Sequence, residues 1–127
     1  MEDDDLTYII RGCIFNVYNK LGPGLFESVY ESALCYELNK AGLKFKRQES
    51  LPVYYDEILL DVAFRIDIFV ENRIVIEIKS VEELSKVHFK QIITYLKLLD
   101  ISIGILVNFN SDNIKENIKR IVNNYKS

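Results

Sequence analysis

The stretch Arg65-Ile66-Asp67-Ile68-Phe69-Val70, followed by Glu71-Asn72-Arg73 and then Ile74-Val75-Ile76-Glu77-Ile78-Lys79, decides how this chain folds. Both flanking runs alternate and are rich in β-branched residues, the pattern of paired strands. In the first run Phe64, Ile66, Ile68 and Val70 share an apolar face, opposite Arg65, Asp67 and Phe69; in the second, Ile74, Ile76 and Ile78 lie opposite Val75, Glu77 and Lys79. Directly opposed residues of a hairpin point the same way, so the apolar faces coincide only if Val70 pairs with Ile74. This predicts a three-residue loop with Asn72 or Arg73 in the left-handed conformation. It also sets Asp67 opposite Glu77, with Lys79 two residues along on the same face.

Two carboxylates and an amine on a sheet face that a helix should cover are expensive to bury unpaired. One reading is an ion-pair cluster on a solvated face. The other is a divalent-cation site, because two neighbouring hard oxygen ligands suit Mg²⁺ or Mn²⁺. An adjacent lysine then suits phosphate chemistry, where it offsets negative charge building in the transition state.

Outward from the hairpin, Leu6 to Leu21 has helical periodicity (Leu6, Ile9, Ile10, Cys13, Ile14, Val17, Leu21), and the acids at 2–5 suit the positive end of its dipole. Gly22-Pro23-Gly24 breaks it, and a second helix is expected from Glu27 to Ala41, stopped by Gly42. Strands are expected at Leu43–Arg47, Leu51–Tyr55, Ile58–Val70 and Arg73–Lys79, with Pro52 marking an edge or an irregularity. A helix over Glu82–Leu99, a buried strand over Ile103–Asn108 and a closing helix over Ile114–Tyr125 complete a mixed α/β arrangement around one central sheet.

The 127 residues, 49% hydrophobic and 28% charged, fit a single domain over residues 1–127 and exclude a disordered chain. Cys13 and Cys35 sit in apolar helical contexts and are expected as core fillers, and one histidine, His88, cannot complete a Cys/His zinc set. The acidic N-terminus is unlike a signal peptide and no apolar run reaches the ~20 residues of a membrane span, so a cytoplasmic protein is expected. There is no phosphate-binding glycine loop, dinucleotide fingerprint or nucleophile-elbow serine.

Asp67 followed across the hairpin by Glu77-Ile78-Lys79 resembles the D…(D/E)-x-K signature of the PD-(D/E)XK nuclease superfamily, and the element order resembles its αβββαβ core. More specifically, Gly24-Leu25-Phe26-Glu27-Ser28-Val29-Tyr30, followed by Glu31, is similar to the G-x-x-E-x-x-Y motif of a family within that superfamily. Val70-Glu71-Asn72-Arg73, the helix carrying His88, Gln91 and Thr94-Tyr95-Leu96, and Val107-Asn108-Phe109 resemble the same family. The resemblance implies that Asp67, Glu77, Glu27 and the main-chain carbonyl of Ile78 hold Mg²⁺ (or Mn²⁺). It implies that Lys79 orients the attacking water or steadies the phosphate, and that Gln91 and Tyr95, in a Q-x-x-x-Y pattern, contact substrate. Ile66 stands where the superfamily usually has proline, a departure that touches no catalytic atom.

Read from the residues alone, Glu27 is equally a helix-start acid, Tyr30 a core aromatic that packs its helix on the sheet, and His88 a locally bonded surface residue outside the catalytic set. The expected activity is a Mg²⁺-dependent nuclease acting on nucleic acid, DNA rather than RNA. The alternatives are a non-catalytic nucleic-acid-binding or accessory protein on the same scaffold and a dimeric, structure-selective junction resolvase, so a homodimer is among the expected partners.

Charge agrees with that expectation. The net −3 includes four acids at 2–5; without them 15 acids face 16 bases, and with Glu27, Asp67 and Glu77 assigned to metal the balance is 12 against 16. Lys44, Lys46 and Arg47, then Lys86, Lys90 and Lys97, then Lys115, Lys119, Arg120 and Lys126 are clusters able to follow a phosphate backbone with modest, salt-sensitive affinity.

Overall fold

The structure, a computed structural model, describes residues 1–124. Two helices, α1 (Asp3–Leu21) and α2 (Glu27–Lys40), precede strands β1 (Phe45–Tyr55), β2 (Ile58–Val70) and β3 (Ile74–Lys79). Helix α3 (Lys86–Leu99), strand β4 (Ile103–Asn108), a 3-10 turn at Ile114–Asn117 and strand β5 (Ile118–Val122) follow. The sheet order is β1-β2-β3-β4-β5, antiparallel except for the parallel β3–β4 pair that α3 connects. This is the mixed α/β architecture expected, with helices on both faces of the sheet.

The hairpin adopts the register its alternation requires, with Val70 opposite Ile74, Phe69 opposite Val75 and Ile68 opposite Ile76. Its loop is left-handed at Glu71 as well as Asn72, both at φ 53°, but not at Arg73. Arg73 N–H closes the turn on Val70 O at 2.9 Å, and its guanidinium reaches Asp3 and the Met1 carbonyl. The acidic start of α1 therefore anchors this loop in addition to meeting its own dipole.

Two cores follow from the two sheet faces. Leu6, Ile10, Ile14, Tyr30, Leu34 and Leu38 of α1 and α2 pack on Ile68, Val70, Ile74, Ile76 and Ile78. On the other side Ile92, Tyr95 and Leu96 of α3 pack on Phe69, Val75 and Leu106. Phe64 and Ile66 join this second core instead of the first, the change falling at Asp67, where backbone pairing with β3 ends. Gly104 permits the close fit of α3, since a Cβ there would lie 2.8 Å from Ile92 Cδ1. Cys13 and Cys35 are buried free thiols, as expected of core fillers.

Three expectations are corrected. Residues 43–47 and 51–55 do not form separate strands: β1 is continuous, with Gln48 turned left-handed (φ 53°) and the register shifting between Pro52 and Tyr54. Pro52 is tolerated because β1 is an edge strand. Helix α3 begins at Lys86 rather than Glu82, because Ser85 caps it and donates its N–H to His88 Nδ1 at 3.0 Å. The closing helix is absent. Ile114 and Ile118 are both buried at helical spacing, but Ile118, Ile121 and Val122 are β-branched, and as β5 they pair the outer edge of β4 that a helix would leave open. Tyr125 and Lys126 lie outside the described residues. Among the described residues no helix is long and apolar enough to cross a membrane.

Candidate active site

The site begins where the β2–β3 ladder stops. Beyond Ile68 and Ile76 the strands exchange side chain for backbone: Asp67 N–H donates to Glu77 Oε1 at 3.1 Å, and Ile78 N–H donates to Asp67 Oδ2 at 2.8 Å. The N–H and C=O of a strand residue leave on the same side. Lys79 O, one residue on, accepts from Phe109 N–H at 2.9 Å on the β4 side. The Ile78 carbonyl thus faces the same gap as the two carboxyls. Only one carboxylate oxygen of Glu77 receives a protein donor among the described residues. The other, Oε2, keeps contact with solvent, because the single buried side-chain polar atom lacking a partner is Thr7 Oγ1.

Electrostatics mark this pair as unbalanced. Glu77 is 3% exposed, and burial first, the Asp67 charge second, push its carboxyl up to about 8. Asp67 is also raised, by desolvation above all, against the lowering effects of the Ile78 N–H and Lys79. Among the described residues no cation is bonded to either carboxylate; Lys79 donates instead to Gln91 Oε1 at 3.3 Å. Burial and a like charge, rather than an ion pair, therefore set the protonation of Glu77.

Helix α3 supplies the second half of the site. Gln91 stands at the Lys79 ammonium, accepting from its Nζ at 3.3 Å. Tyr95 is 2% exposed, tilted against Phe64 with centroids 5.4 Å apart, and its hydroxyl is pushed up to about 12 by burial and then by Glu77. The tyrosine expected to touch substrate is buried in the second core. His88 accepts the Ser85 N–H at the start of α3, the local bond expected of it.

Glu27 is placed differently from the expectation. It starts α2, is exposed, and acts on Asp67 and Glu77 only through space. Among the described residues no three His, Cys, Asp or Glu side chains come together as a metal-holding group, so Glu27 does not complete a triad with the pair. The acid that does connect is Glu31, one turn on. It is buried, receives Arg47 Nε at 2.6 Å, and bonds Gln48 Nε2, which also reaches Asp67 Oδ1 at 3.4 Å. Sequence reasoning missed Gln48, because its inward reach depends on a positive φ that glutamine does not advertise.

Tyr30 explains the rest of the glycine–glutamate–tyrosine spacing. Its hydroxyl donates to Gly22 O at 2.6 Å and accepts from Leu25 N–H at 3.1 Å, while its ring stacks on Phe109 at 4.4 Å. Gly24, at φ 95°, allows the turn that this hydroxyl clamps. Ser80, next to Lys79, donates to Leu25 O at 2.5 Å, so the same loop is tied to the end of β3.

A sequence model of the PD-(D/E)XK nuclease superfamily matches residues 4–121. No curated protein and no solved structure gives a significant match.

Proposed function

The chain belongs to the PD-(D/E)XK nuclease superfamily, and from that premise we propose that it is a Mg²⁺- or Mn²⁺-dependent nuclease hydrolysing phosphodiester bonds of nucleic acid, with DNA as the preferred polymer. Within the superfamily, the residues Gly24, Glu27 and Tyr30 support placement in the G-x-x-E-x-x-Y family. One observation carries the reading: Asp67 and Glu77 face each other across the opened end of the hairpin, raised in pKa and without a bonded cation, beside the Lys79 ammonium.

The donor set fits a hard divalent ion. Asp67, Glu77 and the Ile78 carbonyl offer oxygen only, and a bound cation offsets the burial that raises both carboxyls and the Asp67 charge that adds to it at Glu77. Its chemistry here is charge neutralisation and a lowered pKa for the attacking water. Asp67 and Glu77 would hold the ion, and the backbone amides of Asp67 and Ile78 fix their orientation. Lys79, steadied by Gln91, sets a positive charge beside the scissile phosphate. Glu27, exposed at the start of α2, is positioned to hold an outer water.

Cleavage of single-stranded, duplex and branched DNA and RNA with Mg²⁺ or Mn²⁺ tests this. Asp67→Ala and Lys79→Ala should abolish cutting while leaving the far-UV circular dichroism unchanged. Wild-type protein no more active than Asp67→Ala on every substrate would overturn the catalytic reading, and absence of Mn²⁺ binding by calorimetry would favour a binding or accessory role.

A further inference from the structure

We infer that the distal half of the β1–β2 hairpin is a dimerisation arm, and that its occupant is the same arm of a second copy of this chain. Past Leu51 and Phe64 the two strands continue as a ribbon to a turn at Asp56-Glu57. Leu51 and Phe64 are the last of its residues in either core. On the ribbon Tyr54, Tyr55, Ile58, Leu59, Leu60 and Val62 are 36–69% exposed. Tyr54 pairs with Leu59 and Tyr55 with Ile58, and successive residues face opposite ways, so each face presents an aromatic–aliphatic pair to solvent.

These six side chains divide between the two faces, Tyr55, Ile58, Leu60 and Val62 on one and Tyr54 and Leu59 on the other, so the larger face exposes on the order of 400 Å², within the range of the largest patch on a typical monomer. An isolated two-stranded hairpin is marginal in water, so such a ribbon gains from being covered. That face is about half of the roughly 800 Å² per partner of a standard interface, and the charged tip and root of the arm supply the rest of the contact.

Charge selects the occupant. Between Gln48 and Phe64 the chain carries Glu49, Asp56, Glu57 and Asp61 and no lysine or arginine, which disfavours a phosphate backbone. The cations Lys46 and Arg65 lie at the root of the arm, and neither they nor Asp56, Glu57 and Asp61 form an ion pair among the described residues. Two arms packed antiparallel about a two-fold axis bring the acidic tip of each to the basic root of the other, a self-complementary contact. Packing is by faces, because Pro52 and the left-handed Gln48 obstruct edge-to-edge strand pairing along β1.

Sedimentation equilibrium on the full chain tests this without reference to activity. Twice the chain mass is expected at tens of micromolar. Ile58→Glu with Leu59→Glu, both at exposed positions, should raise the dimer dissociation constant at least tenfold with unchanged circular dichroism. Asp56→Lys with Glu57→Lys should also weaken the homodimer, and mixing it with Lys46→Glu, Arg65→Glu should restore a heterodimer. A monomeric wild type, a dimer indifferent to Ile58→Glu with Leu59→Glu, or failure of the mixed pair would overturn the proposal. Loss of nucleic-acid binding by a monomer carrying those two glutamates would overturn it in favour of a substrate contact.

Discussion

Asp67 and Glu77 hold one another through the backbone: the Asp67 amide donates to Glu77 Oε1 at 3.1 Å. Where two strands would ordinarily trade N–H and C=O, one partner here is a carboxylate. The pair is thereby fixed in place at the cost of a buried acid, Glu77, beside a half-buried one, Asp67, whose charge repels it. That cost appears as the raised pKa of both groups and makes the site responsive to protons and cations.

Metal-free stability should fall with rising pH. Glu77 titrates at about 8 in the folded chain against 4.5 as a free group, so its contribution is complete below about 4.5 and is lost as pH rises through 8. The loss is on the order of 5 kcal/mol. Thermal melts in chelator from pH 5 to 8.5 should show this decline, and Glu77→Gln should flatten it; parallel slopes for both proteins would contradict the assignment. Calorimetry at pH 7 should also show heats of Mn²⁺ binding that depend on buffer ionisation, because binding displaces the Glu77 proton.

Gln48 should act as a positioning residue. Gln48→Gly keeps the left-handed backbone at no steric cost but deletes the bridge between Glu31 and Asp67. Mn²⁺ affinity should fall about tenfold, the usual scale for losing a group that orients a ligand. The melting temperature should stay level or rise, which separates loss of orientation from loss of fold.

Tyr30→Phe should damage stability and spare chemistry. The ring still stacks on Phe109, but Gly22 O and Leu25 N–H lose their shared partner. A cost of about 1–3 kcal/mol is expected from urea unfolding. Cleavage per folded molecule should be unchanged; a specific loss of turnover at full folding would assign Tyr30 a catalytic part.

Gly104→Ala should destabilise from inside the sheet. The new methyl would sit 2.8 Å from Ile92 Cδ1 and 3.3 Å from Leu96 Cδ2 in a filled core. About 1–3 kcal/mol is expected from overpacking, read as a lower denaturant midpoint with unchanged slope. Ile92→Val in the same chain should recover part of it.

The alternation of the two strands determined the hairpin register from Ile68 to Val70, and the apolar run Ile103–Asn108 its buried strand, because side-chain direction along a strand is a local consequence of backbone sterics; past Asp67, where Ile66 changes face, it did not. Helical spacing placed Gln91 on the stripe that reaches Lys79. Tertiary structure alone decided the rest. Ile114 and Ile118 have helical spacing, yet an unpaired β4 edge draws the last segment into a strand. Glu27 and Glu31 share one helix, but only Glu31 is buried against β1 and linked to Asp67. Burial, which no local pattern reports, pushes Glu77 toward neutrality and sinks Tyr95 beneath Gln91. Strand geometry brings the acids together, and the packing around them sets their charge.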